Sequence, residues 1–285
     1  MSQEKVFEPI DLGRDFRREL FVTADGYTLP YRLYIPANYD CGEYYPLMLF
    51  MHGAGERGND NSEQIHVALP HVFDDPASPA YNAIIIAPQC PADKQWVYTP
   101  WDKGSYSTAD VVESKELETV VQIIKNVCSE YNVDKSRIYA TGLSMGGYAT
   151  WDLIARHPSI FAAAMPVCGG GDPSKAKILA DIPIRTFHGL LDDIVPTEGT
   201  REMYAAIKAV GKNKISFTEF EDGDHAIWDR VYMDKANVNW LFSQVKPEKK
   251  KPVQNIKYRK VGAAGVAIGL VGAALILLGK KGKKK

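Results

Sequence analysis

Cysteine is scarce: four residues in 285, at Cys41, Cys90, Cys128 and Cys168, widely spaced and with no C-x-x-C pair. A chain this long is no disulfide scaffold, and that spacing argues against structural metal or redox motifs. Free, buried thiols are expected. No internal repeat is visible. The N-terminal stretch MSQEKVFEPIDLGRDF has no apolar core, so no secretory signal peptide is expected there. Basic charge is also missing from most of the chain. Residues 246–285 hold 12 Lys or Arg against one acid, Glu248, which leaves 22 bases and 34 acids in residues 1–245, a net charge of about −12. An acidic body argues against nucleic acid as a partner, because phosphate binding needs a basic face.

Long uncharged runs are absent until the far end. There, Val261 to Leu278 form eighteen residues without a charge, flanked by Lys257, Arg259 and Lys260 on one side and Lys280 and Lys281 on the other. As a helix this run would measure ~27 Å, close to the hydrocarbon thickness of a bilayer. The sequence therefore predicts a transmembrane helix over 261–279 that holds the chain in a lipid bilayer. A polar, lysine-rich stalk over 246–260 precedes it and a basic tail over 280–285 follows. Seven basic residues in 246–260 against five in 280–285 place the body on the cytoplasmic side. Gly265 and Gly269 form a G-x-x-x-G that would let two such helices approach, the expected contact of a homodimer.

Residues 1–245 alternate strand and helix signals. Pro46 to Met51 and Ala83 to Ala87 are continuous apolar runs, as expected of strands buried on both faces. Glu116 to Tyr131 places Leu117, Val120, Val121, Ile124, Val127 and Cys128 on one helical face. Phe21 to Thr23 and Leu29 to Ile35 read as an opening antiparallel pair joined at Asp25-Gly26. Further strands are expected to end at Ala140 and to cover 161–167, 182–188 and 215–220. Helices are expected near 146–156, 197–210 and 227–245. This order gives an α/β fold, one large domain with a mostly parallel central sheet and helices on both faces.

The chemically suggestive residues fall just after these strands, the edge at which open α/β sheets bind ligands. Ser144 lies in Gly142-Leu143-Ser144-Met145-Gly146, between a strand and a helix. A serine hydroxyl needs an adjacent base. Among the histidines that follow, His157 ends a helix and His188 precedes the candidate acids, whereas His225 sits on a loop beyond the strand at 215–220. Asp192 and Asp193 both follow the strand that ends at His188, and spacing does not decide between them. Asp224, next to His225 in sequence, is poorly placed to reach its Nδ1. The turn Met51-His52-Gly53-Ala54-Gly55-Glu56-Arg57-Gly58 is rich in amides that can donate to an oxyanion. Glu56 and Arg57 are expected to brace that turn.

The segments YRLYIPANYD, YPLMLFMHGAGERG, IIIAPQCP, GLSMGGYATW, HGLLDDIVP and GDHAIW resemble the α/β-hydrolase superfamily over residues 17–245. Within it they resemble the phospholipase/carboxylesterase or "predicted peptidase" group, related to feruloyl esterases and polyhydroxybutyrate depolymerases. The resemblance implies an α/β-hydrolase fold, and the short gap between the strands at 161–167 and 182–188 leaves no room there for a large lid. The resemblance also implies a Ser144 nucleophile, an Asp192 acid, a His225 base, and an oxyanion hole built from the amides of Ala54 and Met145. The expected activity is carboxylic ester hydrolysis through an acyl-enzyme, on a small-molecule ester, with no cofactor and no metal. Peptidase, amidase or thioesterase activity on the same triad is the alternative, and a membrane-tethered binding protein on an inactive fold is the rival. Trp96, Trp101 and Trp228 are candidates to line the substrate cleft.

Overall fold

The structure, a computed structural model, describes residues 9–247. The expected stalk from residue 248, the transmembrane helix over 261–279, the tail over 280–285 and the Gly265/Gly269 contact lie outside these residues. Among the described residues no helix is long and apolar enough to cross a membrane.

A short turn, α1 (Leu12–Asp15), leads into β1 (Phe16–Val22) and β2 (Thr28–Tyr34), followed by β3 (Tyr45–Met51) and β4 (Ile84–Pro88). Next come α2 (Lys115–Glu130), β5 (Val133–Leu143), α3 (Met145–Arg156), β6 (Ala163–Val167) and α4 (Ala176–Leu179). The chain continues through β7 (Ile184–Gly189), α5 (Glu198–Ala209), β8 (Ile215–Phe220), α6 (Trp228–Tyr232) and α7 (Lys235–Ser243). The strands form one eight-stranded sheet in the order β1-β2-β4-β3-β5-β6-β7-β8. Only β1–β2 and β2–β4 pair antiparallel; every neighbour from β4 to β8 is parallel.

Alternate residues of β3 go to opposite cores, which explains its unbroken apolar run. Leu47, Leu49 and Met51 pack with Val120 and Ile124 of α2 and with Leu153 of α3. Met48 and Phe50 join the other core with Val231 of α6 and Leu241 of α7. Two elements differ from the sequence reading. β1 starts at Phe16, five residues before the expected strand, because the charged stretch Arg17-Arg18-Glu19 hid it. The single helix expected over 227–245 is two helices, since the Asp234 carboxylate accepts from the Ala236 amide at 2.9 Å and caps a new one.

The centre of the sheet sets the site. Leu47 pairs with Ile138 and Met51 with Gly142, so β3 and β5 end side by side. There α3 begins so close to β3 that a Cβ on Gly146 would sit 2.0 Å from the Met51 carbonyl oxygen. At the opposite edge the Lys246 amide donates to the Ser136 carbonyl, near the start of β5.

His52, the first residue after β3, is buried. Its Nε2 accepts from the Cys90 amide at 2.9 Å, and its Nδ1, the donor in this tautomer, lies 2.6 Å from the Gly53 carbonyl. Burial makes charging costly and depresses its pKa from 6.5 to about 4.

Two outcomes follow. Gly146→Ala forces backbone against backbone and should lower the unfolding free energy by about 3 kcal/mol, the upper end for overpacking, read from urea midpoints. His52 takes up a proton in the unfolded chain below pH 6.5 but not in the native state until about 4. Its contribution is therefore complete above pH 6.5 and fades as pH falls toward 4. Between pH 7.5 and 5.0 the wild type should lose about 2 kcal/mol more stability than His52→Gln in urea unfolding.

Candidate active site

Ser144 sits between β5 and α3 with φ 53° and ψ −120°, a conformation that non-glycine residues rarely adopt. Two contacts hold it there: its amide donates to the Val167 carbonyl at 2.9 Å, and its carbonyl accepts from Gly147 at 2.8 Å. The turn presents the hydroxyl at the sheet edge, where His225 Nε2 lies 2.8 Å from Ser144 Oγ. The other ring nitrogen, Nδ1, is 2.7 Å from Asp192 Oδ2. Three side chains spread over 81 residues of sequence are thus joined in one hydrogen-bonded chain.

Geometry separates the two neighbouring aspartates. The Asp192 side chain is completely enclosed, while Asp193 is exposed. Asp192 Oδ1 accepts from the amides of Ile194 at 3.0 Å and Val195 at 2.8 Å. Burial works to raise this carboxyl, but hydrogen bonds from His188, His225 and the Val195 amide outweigh it. They hold the group well below the ordinary carboxylate range. Asp224 instead accepts from the Ala226 amide, shaping the loop that carries His225. The acid loop and the histidine loop are tied directly, Leu191 N–H donating to the Gly223 carbonyl at 2.8 Å.

Beside the serine lies the turn after β3. A Cβ on Gly53 would fall 3.6 Å from Ser144 Cβ and 2.8 Å from Leu143 Cδ1, so the two loops are in contact. Three consecutive carbonyls of this turn are occupied. Trp96 Nε1 donates to His52 O at 3.2 Å, His52 Nδ1 to Gly53 O at 2.6 Å, and Arg57 Nε to Ala54 O at 2.9 Å. In a trans peptide the N–H points opposite to the C=O, so each of the amides of Gly53, Ala54 and Gly55 points away from the group that donates to its own peptide's carbonyl. Met145 is the first residue of α3 and contributes an N–H that a helix leaves without an internal partner. The Glu56 carboxyl, pushed up by burial, packs against the same turn, and its Oε2 has no hydrogen-bond partner.

The aromatic candidates separate. Trp96 is fully buried, edge-on to His52, and so supports the turn from behind instead of lining a cleft. Trp228 is half-buried and meets the His225 ring edge-on at 5.4 Å. Trp101 is half-buried, with Arg57 over its ring and its carbonyl accepting from Tyr148 Oη at 3.0 Å.

Sequence reasoning missed two neighbours. His188, set aside because it precedes the acids, lies 3.1 Å from Asp192 Oδ2 through Nε2. Its signal was a histidine at the end of a strand, four residues before the acid. Cys168, after β6, places its sulfur within 4.8 Å of ligand atoms of Asp192 and His225, and burial pushes its thiol up.

The profile of the phospholipase/carboxylesterase family matches residues 42–238. The chain is 32% identical over 106 residues to the bifunctional acetylxylan esterase/xylanase XynS20E of Neocallimastix patriciarum, covering 36% of this chain and 16% of that protein. It is 32% identical over 89 residues to acetylxylan esterase A of Emericella nidulans, covering 31% of this chain and 28% of that one. It therefore spans well under a third of the length of these curated relatives. A solved thermostable esterase is 35% identical with a TM-score of 0.74, over 82% of this chain and 64% of the other. The fold is that of the α/β-hydrolases, and the chain belongs to the phospholipase/carboxylesterase family.

Proposed function

We propose that the protein hydrolyses carboxylic esters through a covalent acyl-enzyme on Ser144. The observation that carries this reading is the unbroken chain Ser144 Oγ–His225–Asp192, with contacts of 2.8 and 2.7 Å. As Ser144 Oγ attacks the ester carbonyl carbon, His225 Nε2 takes its proton. Asp192, kept ionised by its four donors, holds the Nδ1–H and stabilises the imidazolium. The carbonyl oxygen becomes an alkoxide that accepts from the Ala54 and Met145 amides, and losing one such donor costs ~10²–10³ in rate. Collapse expels the alcohol, which takes the proton from His225. Water, deprotonated by the same imidazole, then attacks the acyl carbon and releases the acid and the free serine. Nothing in these steps calls on a metal or cofactor. The acetylxylan esterases among the relatives favour a short acyl group. Trp101 and Trp228 serve as walls of the cleft.

We also propose that the uncharged run at 261–278, between its lysine-rich flanks, anchors the protein in a bilayer with the body on the cytoplasmic side.

Ser144→Ala should abolish both p-nitrophenyl acetate hydrolysis and fluorophosphonate labelling; survival of either defeats the assignment. Asp192→Asn should cost about 10³–10⁴ in kcat in protein that circular dichroism shows to be folded, since it leaves the imidazole in the wrong tautomer. The full chain should stay in the membrane pellet after alkaline carbonate extraction. The body should also resist protease in intact cells; release by the carbonate or shaving from the surface counts against the anchor as described.

A further inference from the structure

His188 closes β7 with no exposed surface, and each of its ring nitrogens faces an oxygen that has no hydrogen to give. On one side Nε2 lies 2.9 Å from the Val195 carbonyl and 3.1 Å from Asp192 Oδ2. Both oxygens only accept, so this nitrogen carries a hydrogen. On the other side Nδ1 lies 2.8 Å from Thr200 Oγ1. A hydroxyl has a single hydrogen, and Thr200 spends it on the Gly169 carbonyl, 2.8 Å away. Thr200 can then only accept from the imidazole, so Nδ1 carries a hydrogen as well.

We infer that His188 is held with both ring nitrogens protonated, as a buried cation paired with Asp192, and that it is a positioning residue for the catalytic acid. The contrast with His52 is instructive. There one nitrogen meets a carbonyl and the other a backbone N–H, so a neutral ring satisfies both. At His188 a neutral ring would leave two acceptors facing each other in a site that water does not reach.

The groups facing this pair come from several elements. His225 shares Asp192 Oδ2; Cys168 follows β6; Tyr148 lies on α3 within the field of Asp192. Glu219 of β8 is the register partner of His188 and is neutralised by Arg201 at 2.6 Å. Asp224 lies on the histidine loop. No other cation stands against Asp192 among these groups. His188 therefore keeps the carboxylate ionised and oriented, and it offsets part of the pull that Asp192 exerts on a proton at His225.

The catalytic consequence rests on the ester-hydrolase reading; the proton count does not. Long-range ¹H–¹⁵N spectra of ¹⁵N-histidine-labelled protein at pH 7.5 should show an imidazolium, both nitrogens protonated, at His188, assigned through its contacts to Thr200 and Val195. A single-hydrogen tautomer at that residue overturns the inference. His188→Gln keeps a donor near Nε2 but removes the charge, so the acidic limb of kcat/KM should move up by about one pH unit. A limb that stays in place, or moves down, overturns the role assigned to the charge. If Ser144→Ala retains turnover, the hydrolase reading fails on its own, and the nitrogen spectra still decide the state of His188.

Discussion

The carboxylate of Asp192 is the point at which the loops of the site are fastened. It is enclosed on every side, and both of its oxygens are filled twice: Oδ1 by the amides of Ile194 and Val195, Oδ2 by His225 and His188. A buried charge of this kind is tolerable only when its lone pairs are met, and each donor removed leaves a penalty of about 1–3 kcal/mol. The backbone donors shape the acid loop, and His188 binds that loop to its strand. His225 in turn draws in the loop after β8 and, through it, the serine. The geometry of the Ser144–His225–Asp192 chain thus follows from satisfying one anion.

That constraint explains which parts of the architecture the sequence discloses. The central strands are legible because burial on both faces demands continuous apolar residues, and Pro46 to Met51 shows it plainly. The elbow is legible because close backbone approach at Gly146 admits no side chain, leaving a glycine two places from the serine. Residues alone leave Asp192 and Asp193 equivalent. The choice lies in which carboxylate closes a turn onto two following amides, and adjacent positions share almost all of their local signal. The break at Met233-Asp234 is hidden for a related reason. Asp234 is an unremarkable helix-surface residue until its side chain is seen capping the next segment. Trp96 has the composition of a cleft residue, yet its burial behind His52 depends on a turn at 90–100 whose path no periodicity records.

Three histidines show how partners rather than residue type decide chemistry. His52 stands between a carbonyl and an amide and serves as a neutral strut for the turn beside Ser144. His188 faces acceptors on both sides. His225 alone of the three stands between a fixed anion and a hydroxyl that can give up its hydrogen. The two static rings are buried, whereas the third retains some exposure.

The main chain runs off the sheet where Lys246 bonds to Ser136, at the starting end of β5, whereas Ser144 crowns its finishing end. Eight residues of extended chain part the two, roughly 26 Å. A cross-linker attached at Lys246 itself would therefore start from the end of β5 remote from Ser144.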